Sequence, residues 1–131
     1  MAKRRGKEIE DRTHNLIINQ IAVWCTQLNI SVEVSKGSEK GSDVKIEHLS
    51  KKILIEVESY HVPAKLKVWA QRHRDEKAVA TIIISGLAAT YRKNIEDGAW
   101  PSELQVFCIE TNDWKTLVPP LLSNLLELEA P

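Results

Sequence analysis

The chain has 131 residues, 43% of them hydrophobic, and its 18 Lys and Arg residues are balanced by 18 Asp and Glu residues. This size and composition predict a single compact domain, residues 1–131, with one core. The sequence contains no apolar run of about 18 residues, the length needed to cross a bilayer. Its basic start leads into a charged segment instead of the apolar stretch of a signal peptide. We therefore expect a cytoplasmic protein without a membrane partner.

The charges are distributed unevenly along the chain. Residues 1–95 hold 17 Lys and Arg residues against 11 Asp and Glu residues, whereas residues 96–131 hold 1 against 7. The net charge of zero therefore combines a basic segment, residues 1–95, with an acidic segment, residues 96–131. This asymmetry is compatible with a basic face that binds nucleic acid, although charges distant in sequence can be neighbours in space.

The first half of the chain predicts one long helix followed by three strands. Apolar residues recur at steps of three and four over residues 7–28, which is typical of an amphipathic helix. Residues 30–34 alternate between apolar and polar and predict the first strand. A loop rich in Gly, Ser and Lys, residues 35–42, then leads into a further pair of strands.

The second half alternates helices and strands. Pro63 suits the first turn of a second helix, because proline lacks an N–H that this turn would leave unbonded. A continuous apolar run, residues 79–86, predicts a strand buried on both faces in the centre of a sheet. Next come a predicted short helix, a strand, and a terminal helix that two prolines interrupt: residues 91–95, residues 104–109, and the stretch from Asp113 with Pro119 and Pro120. This order predicts an α/β fold with a mixed β-sheet flanked by helices.

Both cysteines are expected to be reduced core residues. Cys25 and Cys108 lie in apolar sequence, and neither has the CxxC or HxxxH neighbours typical of a zinc site. The sequence therefore predicts neither a disulfide framework nor a structural zinc ion.

The second and third strands are predicted to form an antiparallel hairpin. Residues 43–46 pair with residues 52–57 around a turn near residues 50–51, and period-2 alternation gives the pair one apolar face. The residues of this face are Val44, Ile46, Ile53, Ile55 and Val57. The opposite face is predicted to be polar and to contribute nothing to the core.

Three acids, Asp43, Glu56 and Glu58, share that polar face. Each acid alone is typical of a solvated surface charge. Together they are unfavourable, because like charges on paired strands destabilise a sheet, and a divalent cation would remove that penalty. Mg²⁺ is usually held by one or two carboxylates with water and substrate phosphate. The three acids therefore predict a metal site for cutting phosphodiester bonds.

This pattern resembles the core of the restriction-endonuclease-like, PD-(D/E)xK nuclease superfamily. That core has the order helix, three strands, helix, strand, with an Asp at the start of the second strand and a Glu-x-Lys motif on the third. Here Asp43 matches the Asp, and Glu56-Val57-Glu58 matches the motif.

Among members of the superfamily, the chain is most similar to the archaeal Holliday junction resolvases. Those proteins begin with a short basic stretch, a Gly, and a helix that bears a Glu four residues later. Here the corresponding residues are Lys3-Arg4-Arg5-Gly6 and Glu10, and the resemblance covers residues 3–85.

The resemblance implies a Mg²⁺-dependent DNA endonuclease in which Mn²⁺ can substitute. Asp43 and Glu56 would hold the metal, Glu58 would complete its shell or position water, and Glu10 would contribute from the first helix. The resemblance also implies branched DNA as the substrate. Because DNA junctions of this kind have two-fold character, it implies a symmetric homodimer that cuts two strands.

Basic and hydroxyl residues around these acids are the candidates for binding the phosphate backbone. The loop of residues 35–42 would follow the backbone beside the carboxylates, and the second helix is basic. On the predicted register Lys45 lies opposite Glu56, where its amine can serve the same site. The predicted DNA contacts are Lys3, Arg4, Arg5, Lys7, Ser35, Lys36, Ser38, Lys40, Lys45, Lys65, Lys67 and Arg72.

Two departures from the superfamily pattern leave alternatives open. Glu58 stands where the superfamily has its catalytic lysine, and Ser42 replaces the proline before the Asp. A carboxylate at position 58 can ligate a metal or act as a base through bound water. One alternative is a catalytically inactive nucleic-acid-binding or assembly module that keeps the fold. Another is a nuclease-fold subunit that docks a partner through its apolar segment, residues 118–128, unless that segment packs on its own core.

Overall fold

The structure, a computed structural model, describes residues 2–35, 42–58, 63–98 and 105–128, with the backbone alone for residues 2–12 and 63–65. The described residues form four helices and five strands. In chain order they are α1 (Ala2–Gln27), β1 (Ser31–Val34), β2 (Val44–His48), β3 (Lys51–Glu58), α2 (Pro63–Glu76), β4 (Ala80–Ser85), α3 (Ala88–Asp97), β5 (Val106–Glu110) and α4 (Trp114–Leu125). None of these helices combines the length and apolar character needed to cross a membrane.

The five strands form one mixed sheet in the order β1-β2-β3-β4-β5. β1, β2 and β3 are antiparallel neighbours, whereas β3, β4 and β5 run parallel. Every residue of β4 is buried, because a strand lies on each side of it and helices cover both of its faces. The predicted α/β fold with a mixed sheet flanked by helices is confirmed.

The hairpin of β2 and β3 pairs Val44 with Ile55 and Ile46 with Ile53. Its turn lies one residue earlier than predicted, at Leu49 and Ser50, which have φ of 48° and 69°. Two successive residues with positive φ match the twist of antiparallel strands, which explains the tight connection. All five residues predicted for the apolar face, Val44, Ile46, Ile53, Ile55 and Val57, belong to the larger hydrophobic core.

Helices cover both faces of the sheet and create two cores. The larger core packs α1 and α4 against one face, and the smaller core packs α2 and α3 against the other. The larger core includes Ile17, Ile21 and Cys25 of α1 with Trp114, Val118 and Leu122 of α4. The smaller core includes Leu66 and Trp69 of α2 with Tyr91 of α3 and Ile83 of β4. Cys25 is buried, Cys108 is half-buried and both are free thiols, as predicted.

The prediction that the proline pair interrupts the terminal helix is wrong. α4 continues through Pro119 and Pro120 from its first turn to Leu125. The missing N–H groups leave two carbonyls of the exposed first turn without helical partners, and water can satisfy them there. Burial of Trp114, Val118 and Leu122, spaced four residues apart, fixes the helix on the sheet. The apolar C-terminal segment therefore packs on the protein's own core.

Candidate functional site

Asp43 and Glu56 lie side by side where β2 begins and β3 approaches its end. Asp43 directly precedes β2, and its Oδ2 accepts a hydrogen bond of 2.8 Å from the backbone N–H of Val57. Since Val57 follows Glu56 in β3, this bond holds the Asp43 carboxylate next to Glu56. The fold thus brings together two of the three acids predicted to bind a metal.

Glu56 is buried, and only 3% of it is exposed. The polar face predicted for β3 is covered by α2, so the expectation that its acids contribute nothing to the core is wrong for Glu56. Burial raises the pKa of Glu56 to about 7, and the charge of Asp43 adds to the rise, while Ser42 and Arg72 oppose it. The protein therefore keeps a carboxyl group where its ionised form is disfavoured.

Arg72 of α2 partly neutralises this buried acid. Its Nη1 donates a hydrogen bond of 3.1 Å to Glu56 Oε2, and 22% of the Arg72 side chain is exposed. Arg72 was predicted to contact the DNA backbone, and the structure places its guanidinium on a candidate metal ligand. A guanidinium has five N–H donors, so Arg72 retains donors for a phosphate oxygen while it holds Glu56.

Ser42 is a buried neighbour of Glu56, and its hydroxyl is poorly bonded within the described part of the chain. Only 5% of Ser42 is exposed, and its Oγ makes no hydrogen bond of ordinary geometry to any described residue. The hydroxyl is still near enough to lower the pKa of Glu56. The weak contact with Glu56 leaves this hydroxyl able to form a better hydrogen bond with a bound group.

His14 of α1 is the site residue that the sequence reasoning missed. Its Nε2 lies 3.4 Å from Asp43 Oδ1. Hydrogen bonding to Asp43 raises the pKa of His14 against the opposing effect of burial, and the charge of Glu58 adds a smaller rise. A signal was present, because His14 follows Glu10 by four residues and the two share one face of α1. The side chain of Glu10 lies outside the described residues.

The third predicted metal ligand, Glu58, is the half-buried last residue of β3. It is near enough to influence the pKa of His14. Within the part of the chain that the structure describes, no group of three or more His, Cys, Asp and Glu side chains is arranged to hold a metal ion. The best-defined candidate is therefore the pair of Asp43 and Glu56.

Lys45 lies on the same face of the hairpin as Glu56, but the prediction that it lies opposite Glu56 is wrong. The register pairs Lys45 with Leu54. The Lys45 Nζ lies 2.6 Å from Glu76 Oε2 of α2, and the Lys52 Nζ lies 3.2 Å from the same oxygen. These two ion pairs fasten α2 to the hairpin, so the Lys45 amine already has an anionic partner.

The other predicted DNA contacts are only partly described. Lys67 is exposed on α2. Ser35 is half-buried, and its backbone N–H donates to the Asp43 carbonyl at 3.1 Å, which connects the end of β1 to the site. Outside the described residues or side chains lie Lys3, Arg4, Arg5, Lys7, Lys36, Ser38, Lys40 and Lys65.

A groove of about 430 Å³ opens between α2 and the start of β2. Its walls include Ser42, Lys45 and Arg72, together with Val68 and Gln71 of α2. Ser42 and Arg72 line this groove and are also neighbours of Glu56, so the groove opens beside the residues that contact this carboxylate. The acids that line the groove itself are Asp75 and Glu76.

The chain matches no protein-family model, and comparison with curated proteins and with solved structures gives no match either. The chemistry of the site therefore carries the functional argument.

Proposed function

We propose that this chain is a metal-dependent DNA endonuclease of the restriction-endonuclease-like type. The observation that carries the proposal is the carboxylate pair. Asp43, fixed by the N–H of Val57, lies beside the buried Glu56, whose pKa is about 7. A buried acid with a strongly perturbed pKa, such as Glu56, is typical of a functional site. The order of the elements and the mixed sheet support the αβββαβ core that the resemblance implies.

The donor set of the site suits a hard divalent cation such as Mg²⁺, with Mn²⁺ as a substitute. Two carboxylates with water and a substrate phosphate are a usual environment for Mg²⁺. When bound, the cation would stabilise charge on the phosphate and lower the pKa of a bound water. Glu56 would then ionise readily, because a nearby positive charge offsets the effect of burial on its pKa.

The neighbouring residues have supporting parts in the proposed site. The N–H of Val57 and the guanidinium of Arg72 orient Asp43 and Glu56, respectively, each through one carboxylate oxygen. The hydroxyl of Ser42, which has no partner of ordinary geometry among the described residues, can pair with a phosphate oxygen or a water molecule. Branched DNA as the substrate and action as a homodimer follow from the resemblance and are part of the proposal.

A cleavage assay tests the proposal. Linear, flapped and four-way DNA are incubated with the protein in Mg²⁺, in Mn²⁺ and in excess chelator. We expect cuts that require the cation, with the four-way substrate cut best. Absence of cleavage on all three substrates with either cation would overturn the assignment as a nuclease.

Substitution of Glu58 separates an active site from a degenerate one. If Glu58 completes the metal shell or positions water, Glu58→Ala should reduce cleavage by about a hundredfold or more. Initial rates measured beside those of the wild type check this expectation, with Glu96→Gln, at an exposed position of α3, as a control for the loss of a surface charge. An undiminished rate in Glu58→Ala would show that this carboxylate has no part in the chemistry.

A second candidate is a catalytically inactive nucleic-acid-binding module. The observation in its favour is that both carboxylates of the pair already have partners in the protein. Arg72 holds Glu56, and His14 lies against Asp43. Such internal pairing can stabilise the fold without a metal. The absence of the superfamily lysine at position 58 points in the same direction.

Both candidates predict DNA binding that weakens with salt. Lys67 is exposed on α2, so Lys67→Gln should lower affinity without unfolding the protein. If Lys67 contacts one phosphate, the slope of log K against log salt should become shallower by about one. Titrations of labelled DNA at several salt concentrations, with Ca²⁺ in place of Mg²⁺, give the slope. An affinity for DNA that does not change with salt concentration would argue against DNA as the partner in either candidate function.

A further inference from the structure

The outer edge of β5 directs backbone hydrogen-bonding groups away from the sheet. The N–H of Thr81 in β4 donates to the carbonyl of Gln105 at 2.9 Å, so residue 105 directs its backbone groups toward β4. Because these directions alternate along a strand, Val106, Cys108 and Glu110 direct theirs outward. β5 is an edge strand of the described sheet, with β4 as its one strand neighbour there.

Two of these outward groups have partners from nearby elements. The Cys108 carbonyl accepts a hydrogen bond of 2.8 Å from Arg92 Nη2, and the Glu110 carbonyl accepts one of 3.0 Å from the Asp113 N–H. The outward N–H groups of Val106, Cys108 and Glu110 have no backbone acceptor among the described residues. An edge with unpaired donors is a template for pairing with another strand.

The surroundings of this edge are apolar except for Arg92 and Glu96 of α3. A groove of about 470 Å³ lies beside β5 between α3 and α4. Its walls include Ile95 of α3, Phe107 of β5, and Leu117 and Leu121 of α4. Leu117 is 47% exposed and adds an accessible apolar side chain to this groove. A strand added to β5 would be flanked by these side chains.

We propose that a second copy of this chain covers the edge, with β5 of each copy pairing antiparallel across a two-fold axis. Strand pairing requires that the outward backbone N–H and C=O groups of one copy meet those of the other. A register with the two-fold axis at Cys108 satisfies this requirement. In this register Cys108 faces the partner's Cys108, and Val106 faces the partner's Glu110. The carbonyls of Cys108 and Glu110 each already accept one hydrogen bond, so each would accept the partner's N–H with its second lone pair. The two five-stranded sheets then join into one continuous sheet.

Charge complementarity favours a second copy as the occupant. Val106 and Cys108 pack against the smaller core, so the even-numbered side chains of β5 lie on the face of α3, which carries Arg92. Arg92 is held at Cys108, one step along the strand from the position of the partner's Glu110. The two-fold axis therefore creates two equivalent pairs between Arg92 and the partner's Glu110. Opposite charges on neighbouring strands stabilise their pairing.

This interface rests on the homodimer of the proposed function, and self-association measured without metal or DNA tests it separately from the cleavage activity. Sedimentation over a range of protein concentrations should give a monomer–dimer equilibrium for the wild type. Arg92→Glu and Glu110→Arg should each weaken the dimer by about tenfold or more, because each places like charges together. The double variant should recover affinity, since the two pairs reform with reversed charges. Lys93→Glu, an exposed charge reversal on the same helix, is the matched control.

Disulfide formation gives a second readout of the register. Cα atoms of a hydrogen-bonded antiparallel pair lie about 5.5 Å apart, which a disulfide can bridge. Under a copper-phenanthroline oxidant, two Cys108 thiols should lose two protons and two electrons and link the copies. Cys25→Ala should still link, whereas Cys108→Ser should not. A monomer at all concentrations, a dimer insensitive to the charge reversals, or equal linking in Cys108→Ser would overturn the proposal.

Discussion

Replacing Asp43 with Asn is expected to abolish metal-dependent DNA cleavage and to leave the fold in place. Asn keeps the size of the side chain and an oxygen that can accept the hydrogen bond from the Val57 N–H. It removes the negative charge that a hard cation requires. Cleavage should fall by at least about a hundredfold, the usual cost of losing a group that stabilises transition-state charge. Initial rates in saturating Mg²⁺, on the substrate that the wild type cuts best, measure the effect.

The control for this experiment is Asp97→Asn, the same exchange at the exposed last residue of α3. It should cut at the wild-type rate. Thermal melting of each variant shows whether a loss of activity reflects the site or unfolding. Calorimetric titration with Mn²⁺ adds a readout that needs no substrate, and Asp43→Asn should bind the metal more weakly. Cleavage by Asp43→Asn at the wild-type rate would show that the metal-site assignment is wrong.

The hairpin and the acids at its end could be predicted from the sequence because they depend on local alternation. Val44, Ile46 and Ile53 are separated by short steps, and a period of two fixes which face each one occupies. The same period places Asp43 beside Glu56 once the register is set. Helix and strand order followed in the same way from apolar spacing along each segment.

The environment of the acids could not be predicted, because it depends on how α2 crosses the sheet. No spacing rule connects Arg72 to Glu56, sixteen residues earlier in the chain. The burial of Glu56 and the rise of its pKa both follow from that crossing. The contact between His14 and Asp43 likewise depends on how α1 packs against the hairpin. Alternation along a strand identifies its two faces, but tertiary packing decides whether the polar face is exposed to solvent.

The continuity of α4 through its prolines has the same origin. A local rule penalises proline inside a helix by about 3 kcal/mol. Here the carbonyls that lose their hydrogen bonds lie in the first turn, where water can reach them. Val118 and Leu122 of the same helix are buried in the larger core. Tertiary burial therefore outweighs the local preference at this position.

The burial of Glu56 predicts that the protein loses stability as the pH rises through the weakly acidic range. The pKa of Glu56 is about 7 in the folded protein, against an ordinary value of 4.5. Between these two values the folded state retains a proton that the unfolded state has released. Since the folded state then binds more protons, the free energy of unfolding falls with increasing pH. The full loss is about 3 kcal/mol, complete once the pH exceeds the folded-state pKa.

Glu56→Gln isolates this contribution. A neutral amide of the same size does not titrate, so the variant should lack the decline due to Glu56 and be more stable than the wild type above about pH 7. Denaturant unfolding at several pH values from 4 to 8 gives the comparison, with Glu96→Gln as the exposed control. His73, whose pKa burial lowers, changes stability in the opposite direction, but it is present in both proteins and largely cancels in their difference. Parallel curves for the wild type and Glu56→Gln would contradict the buried-acid interpretation.

The same pair of proteins connects the pH dependence to the metal site. At pH 8 the ionised Glu56 is the form that a divalent cation would bind, and a ligand that binds only the folded state stabilises it by mass action. Added Mg²⁺ should therefore raise the unfolding midpoint of the wild type more than that of Glu56→Gln. At pH 5 the difference should shrink, because protons compete with the cation for the carboxylate.

A stabilisation by Mg²⁺ that is equal in both proteins at both pH values would place the cation elsewhere on the molecule. A pH effect without any effect of Mg²⁺ would instead favour the inactive binding module, in which Arg72 and His14 are the permanent partners of the two acids.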